Sequence, residues 1–84
     1  MSETGNQIEK KVVETIARLR HLDKNNIGPD SLLVEDLGMD SFMAVEMLFE
    51  FEDQYNLEIP DEEMANFKKV KDVVGYLNGI IPKN

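Results

Sequence analysis

Apolar residues along this 84-residue chain recur at helical spacing in four separated stretches, and no segment reads convincingly as a strand. Over residues 8 to about 19, Ile8, Val12, Ile16 and Leu19 form one stripe that Val13 and Ala17 widen, and Asn6 with Glu9 is spaced as a capping box. The most regular stretch runs from residue 41 to about 55. There Ala44, Met47, Leu48, Phe51 and Tyr55 mark an inner face, while Glu46, Glu50, Glu52 and Asp53 point outward. Asn56 breaks that pattern and residues 57–60 read as extended. Pro60-Asp61 then starts a short third helix through Glu62, Glu63, Met64 and Phe67, with acids in its first turn as the helix dipole favours. A fourth helix, from about residue 70 to 77 or 78, turns Val70, Val73, Val74 and Leu77 inward. Gly79 is its expected stop, and Gly75, which costs about 1 kcal/mol of helix propensity, is expected to mark close packing.

Residues 20–39 form a long connection containing Asn25-Asn26 and Gly28-Pro29. A structureless loop of that length is uncommon in a compact domain, so it should be pinned to the core by Leu22, Ile27, Leu32, Leu33, Val34 and Leu37. Asp30 or Ser31 is placed to cap a short helical turn through residues 33–36. Residues 1–5 and 82–84 are expected to fray. The pattern predicts an all-α fold of four helices, three longer and one short, in a single domain over residues 1–84 with an ordered core at about 6–80.

Composition narrows what such a domain can do. There is no cysteine to staple it and no plausible zinc ligand set, so stability must come from packing. Hydrophobic residues make up 42% of the chain, enough for one compact core but not for a deep walled cleft, which disfavours an enzyme. No apolar run approaches a membrane span and the N-terminus lacks the pattern of a signal peptide, so the expected location is the cytoplasm, without membrane insertion. A net charge of -8 excludes nucleic acid as a natural ligand and favours basic partners. Between Lys24 and Lys68 there is no Lys or Arg, so the middle of the chain is one acidic field.

Few residues offer chemistry. His21, the only histidine, lies in a loop sequence with no serine or cysteine near it, and a solvated surface imidazole is the better reading than a catalytic one. Paired catalytic carboxylates need a pocket that raises one pKa, and the chain is too small to suggest one; no EF-hand loop occurs and no metal site is expected. Asp40 is placed to cap the second long helix, which puts Ser41 on its first turn, exposed and beside unpaired backbone N–H groups. A serine without an adjacent base is a poor nucleophile, so Ser41 is more plausibly modified than attacking. A phosphodiester at a helix N-terminus sits where the dipole favours negative charge.

The run Val34-Glu35-Asp36-Leu37-Gly38-Met39-Asp40-Ser41-Phe42, followed by Val45-Glu46-Met47, resembles the signature of acyl carrier proteins. Glu58-Ile59-Pro60-Asp61-Glu62-Glu63 resembles the segment between that family's second and third helices, and Val73-Val74-Gly75-Tyr76-Leu77-Asn78 resembles its last helix. The resemblance implies a small four-helix bundle, monomeric and non-catalytic. Ser41 would receive 4'-phosphopantetheine from coenzyme A through a magnesium-dependent phosphopantetheinyl transferase, with Asp40 associated with that enzyme's metal site. An acyl group would then be held as a thioester for enzymes of fatty-acid, lipid or polyketide-type biosynthesis. Glu35, Asp36, Glu46, Glu50, Glu52 and Asp53, with Phe42 and Met43, would dock on basic patches of synthases, reductases and acyltransferases. Leu33, Leu37, Met47, Phe51, Ile59, Phe67, Val73 and Leu77 would line the core that opens to shelter the acyl chain.

The chain departs from that pattern in places. Phe42 replaces the usual leucine, Met43 stands where an acid is common, and Phe49, Phe51 and Phe67 are bulkier than the aliphatic residues expected, which is expected to reshape the acyl cavity. Lys68-Lys69 lacks the usual capping threonine before the last helix. These departures suggest a specialised carrier. Two other readings are an aminoacyl or peptidyl carrier, against which the Asp36 to Ser41 context speaks, and an unmodified acidic helical adaptor that binds a basic partner.

Overall fold

The computed structural model describes residues 4–81, with side chains described from residue 7 onward. Three α-helices, α1 (Thr4–Arg20), α2 (Ser41–Tyr55) and α3 (Val70–Ile80), are joined by a long connection and by a short 3₁₀ helix, Asp61–Asn66. The fold is therefore all-helical, with three long helices and one short one between α2 and α3, and a further single 3₁₀ turn, Lys24–Asn26, within the connection. Each long helix contributes one apolar stripe to a shared core: Ile8, Val12 and Ile16 from α1, Met47, Leu48 and Phe51 from α2, Val70, Val73 and Leu77 from α3. α1 lies against both other helices, and Phe51 is the largest of the fully buried side chains.

Several local expectations change. α1 begins at Thr4, so Asn6 lies inside the helix and does not cap it; the first turn needs no apolar anchor, and its start was hidden from a reading based on the stripe. Thr4 and Gly5 are helical, while the expected fraying of residues 1–3 and 82–84 falls outside the described residues. α3 runs through Gly79 to Ile80 and is followed by the cap residue Ile81, whose extended backbone (φ -75°, ψ 129°) is the conformation favoured before a proline. Gly75 faces open space and marks no close packing.

The connection between α1 and α2 is pinned by Ile27, Leu33 and Leu37, as expected, and also by Met39. Leu22 and Val34 are exposed instead. Residues 33–37 wind as a turn, so Leu33 and Leu37, four apart, face inward together and Val34 faces out. Neither Asp30 nor Ser31 caps that turn: Asp30 pairs with Lys71 at 3.1 Å, Ser31 Oγ accepts from Gly28 N at 2.9 Å, and Asp36 Oδ2 takes the Leu32 N–H at 2.9 Å.

This connection also starts α3. Leu33 N donates to Lys68 O (2.9 Å), Val70 N to Ser31 O (3.1 Å) and Lys71 N to Pro29 O (2.9 Å), so carbonyls of the loop satisfy first-turn donors that would otherwise be orphaned. Asp72 completes the cap by accepting the N–H groups of Lys68 (3.1 Å) and Lys69 (3.0 Å) on Oδ2. Asp72, three residues after the position of the missing threonine, thus ties the residues that enter the helix to its first turn. Those two bonds hold the Asp72 carboxyl below its ordinary value, with the charges of Lys71 and Lys69 adding to the effect.

Two outcomes are expected. Phe51→Ala should lower the unfolding free energy by about 3–5 kcal/mol in urea titrations, whereas Phe42→Ala, at a site 71% exposed, should change it by less than about 0.5 kcal/mol. Asp72 is more acidic folded than unfolded, so its contribution is complete above pH 3.8 and lost as pH falls through the lowered folded value. Asp72→Asn should therefore lower the urea midpoint at neutral pH and flatten its acid limb. An unchanged acid limb would show that the cap adds nothing.

Candidate functional site

The segment that delivers Ser41 is built from short-range bonds. Gly38 sits at φ +70°, which glycine adopts without steric cost, and its N–H reaches Val34 O at 3.0 Å. Met39 turns into the core while its N–H bonds Leu33 O at 3.0 Å. Asp40 is extended (φ -106°, ψ -177°), and its Oδ1 accepts the Met43 N–H at 2.9 Å, the N-cap geometry anticipated for it. Ser41 is the first residue of α2 and is exposed.

One side chain from α1 holds both ends of this segment. Arg20 donates from Nε to Leu37 O at 2.9 Å and from Nη1 to Met43 Sδ at 3.5 Å, spanning the turn that contains Ser41. The sequence offers only a weak sign of this role, an arginine ending α1 before a segment with no cation of its own. Met43 is consequently half-buried against α1 and is no part of an open apolar patch, unlike Phe42, which projects into solvent.

A groove of about 160 Å³ opens beside Ser41. Leu33 and Val34 wall it from the connection, Ala44 and Met47 from α2, and Met64 and Phe67 from the end of the 3₁₀ helix, with Ser41 also on its lining. Of the eight residues expected around an acyl cavity, Leu33, Met47 and Phe67 line this groove. Leu37, Phe51, Ile59, Val73 and Leu77 lie in the closed core, away from the groove's lining. Val34, Ala44 and Met64, which the resemblance did not place at an acyl cavity, also line the groove. Phe49 is 60% exposed and does not line this groove.

The acidic residues fall into two groups. Glu35, Asp36, Glu46 and Asp53 are exposed, Asp36 also accepting the Leu32 N–H. Glu52 instead turns back so that Oε2 takes the Ile59 N–H at 2.7 Å, tying α2 to the strand-like approach to the 3₁₀ helix. Glu50 pairs with Arg18 of α1 at 3.0 Å. Among the described residues no three His, Cys, Asp or Glu side chains gather closely enough to hold a metal. His21 is exposed at the left-handed residue that ends α1 (φ 57°). Tyr76 packs edge-on against Phe67, and its phenol is pushed up by burial and then by the charge of Glu63.

This arrangement suits a covalently held arm. An exposed hydroxyl stands on the first turn of a fifteen-residue helix, where backbone N–H groups and the dipole favour a phosphate, and an apolar groove lies beside it. Residues 10–77 match the family model described as the phosphopantetheine attachment site. The chain is 43% identical over 77 residues to the acyl carrier protein of Rickettsia bellii (strain RML369-C), covering 92% of this chain and 88% of that protein. It is 44% identical over 70 residues to the acyl carrier protein of Phytoplasma mali (strain AT), covering 83% of each. In fold it is similar to the NMR structure of the HMG-ACPI domain from the CurA module of Lyngbya majuscula, with a TM-score of 0.81 at 23% identity over 92% of this chain and 77% of that one. The chain belongs to the acyl carrier protein family, as a non-catalytic carrier with a phosphopantetheine attachment site.

Gly38→Ala tests how tightly the segment is held. The added Cβ meets Arg20 Nη2 at 3.0 Å in a backbone conformation that alanine disfavours. Thermal or urea unfolding should show a loss of about 1–2 kcal/mol. A neutral result would mean that the Arg20 bridge yields freely.

Proposed function

We propose that Ser41 is the residue that bears the 4'-phosphopantetheine arm, and that residues 1–84 work as one carrier domain for acyl groups in fatty-acid, lipid or polyketide-type biosynthesis. The observation that carries this reading is the exposed Ser41 on the first turn of α2, capped by Asp40 and lining an apolar groove. The bound arm supplies a terminal thiol for thioester formation. The chain's own part is to present one hydroxyl in a fixed orientation and to keep charge and apolar surface around it. Asp40 contributes twice, by capping α2 and by placing a carboxylate beside the serine for the transferase's magnesium.

Glu35, Asp36, Glu46 and Asp53, with Phe42 among them, form the face offered to partners: the transferase, then synthases, reductases and acyltransferases with basic docking patches. Exposed acids on one face speed encounter with such patches and leave the complex short-lived, as a carrier that must move on requires. Glu50 and Glu52 contribute less to that face, since each already has a partner within the fold. The cytoplasm is the proposed site of action, and a monomer the working form.

Incubation with coenzyme A, magnesium and a broad-specificity phosphopantetheinyl transferase tests the assignment. Intact mass should rise by one phosphopantetheine unit, the peptide containing Ser41 should carry it, and Ser41→Ala should stay folded and gain nothing. A folded wild-type chain that gains no mass would favour the adaptor reading.

A further inference from the structure

Asp40, Ser41 and Phe42 are all exposed, so burial does not fix the direction in which the serine points. Its orientation depends on how the two flanks are held: Leu37 to Met39 before it, and Met43, half-buried, after it. Within the segment the supports are local. The Gly38 and Met39 N–H groups bond Val34 O and Leu33 O, and Asp40 caps Met43. A polar tie from both flanks to another helix comes from Arg20.

Arg20 is well fitted to that task. Its backbone is fixed, because it is the last residue of α1, where His21 turns left-handed (φ 57°) and the Leu22 N–H closes back onto Ala17 O at 2.9 Å. Its guanidinium lies against the open side of Gly38, where an added Cβ would come within 3.0 Å of Nη2. From there the planar fork donates in two directions, Nε to Leu37 O at 2.9 Å and Nη1 to Met43 Sδ at 3.5 Å. Leu37 is buried, and among the described residues its carbonyl takes no backbone N–H, so Arg20 supplies the partner that this oxygen needs. The compact ammonium of a lysine does not reproduce the fork.

We propose that Arg20 is a positioning residue for the modification of Ser41: by clasping the Leu37 and Met43 flanks it holds the exposed serine in the orientation that a phosphopantetheinyl transferase takes up. This inference rests on the reading that Ser41 bears the arm. In the transfer, the serine oxygen forms a bond to the phosphorus of phosphopantetheine, the P–O bond to the adenosine bisphosphate of coenzyme A breaks, and the serine proton passes to a base of the transferase. Arg20 takes no part in these bond changes. It keeps the free chain in the competent arrangement, so docking carries little further ordering cost. Where only a fraction of the chain is competent, apparent affinity falls by that fraction. Charge alone acts in the opposite direction: at a net charge of -8, losing a cation makes the chain more acidic and draws a basic partner more strongly.

The experiment measures initial rates of transfer from coenzyme A, with magnesium and the transferase, against carrier concentration. The unsubstituted chain is compared with Arg20→Gln, Arg20→Lys, Met43→Leu and Arg18→Gln, each checked for helicity by circular dichroism. Both Arg20 variants should raise KM by about tenfold or more and nearly keep kcat. Met43→Leu, which keeps the bulk and loses the sulfur acceptor, should raise KM less. Arg18→Gln removes the same charge from a side chain that pairs with Glu50, and its KM should stay or fall. Hydrogen exchange should quicken at the amides of residues 38–43 in the Arg20 variants and stay unchanged in the middle of α1 and α3, which separates lost positioning from lost stability. A KM unchanged or lowered in a folded Arg20 variant, a rise matched by Arg18→Gln, unchanged exchange, or a loss confined to kcat overturns the proposal and leaves the carrier reading intact. If neither Arg20 variant folds, an unchanged KM in folded Met43→Leu overturns it. A folded unsubstituted chain that gains no phosphopantetheine mass on the Ser41 peptide overturns both.

Discussion

The backbone stitch between the α1–α2 connection and the first turn of α3 is the constraint on which the rest of the molecule depends. Leu33, Ser31 and Pro29 exchange hydrogen bonds with Lys68, Val70 and Lys71, and in doing so they solve two problems at once. A twenty-residue stretch with little regular structure gains a fixed path, and a helix preceded by two lysines gains partners for donors its own sequence leaves open. The same stitch brings Leu33 and Phe67, both on the lining of the groove, together. Without it, the segment before Ser41 would lose its anchor and the groove its geometry.

Charge acts on top of this frame. The acidic field over the middle of the chain is one-sided in sequence, yet in three dimensions α1 lends it two arginines, one paired with Glu50 and one bridging Leu37 to Met43. The second is the more consequential, because a half-buried guanidinium with two acceptors is costly to displace. The first is exposed at both ends and adds little to stability, though it removes one carboxylate from the open face.

Much of this was legible in the sequence, and the parts that were not share a cause. Helical periodicity located α2 and the inner residues of all three long helices, because burial on one stripe leaves a repeat of three and four. The motif ending in Asp40-Ser41 located the cap, since cap chemistry is local. Periodicity did not reveal Met39 as a core residue, because its burial comes from the path of a loop. Arg20 and Asp72 were missed for a related reason: each acts on backbone groups outside its own regular pattern, and backbone acceptors have no signature in sequence. Pro82 in the sequence did carry a sign that the helix would not continue past Ile80, but Gly79 drew the reading instead.

The residues that face the groove and those that hold the fold together are nearly separate sets. Only Leu33 and Met47 belong to both; Val34, Ala44, Met64 and Phe67 face the groove without being buried in the core. Substitution is therefore cheapest at Val34 and Ala44, costlier at Met64 and Phe67, which pack against the core, and costliest at the fully buried residues. A scaffold divided in this way can be diverted to a new cargo by a few substitutions, through intermediates that all remain folded.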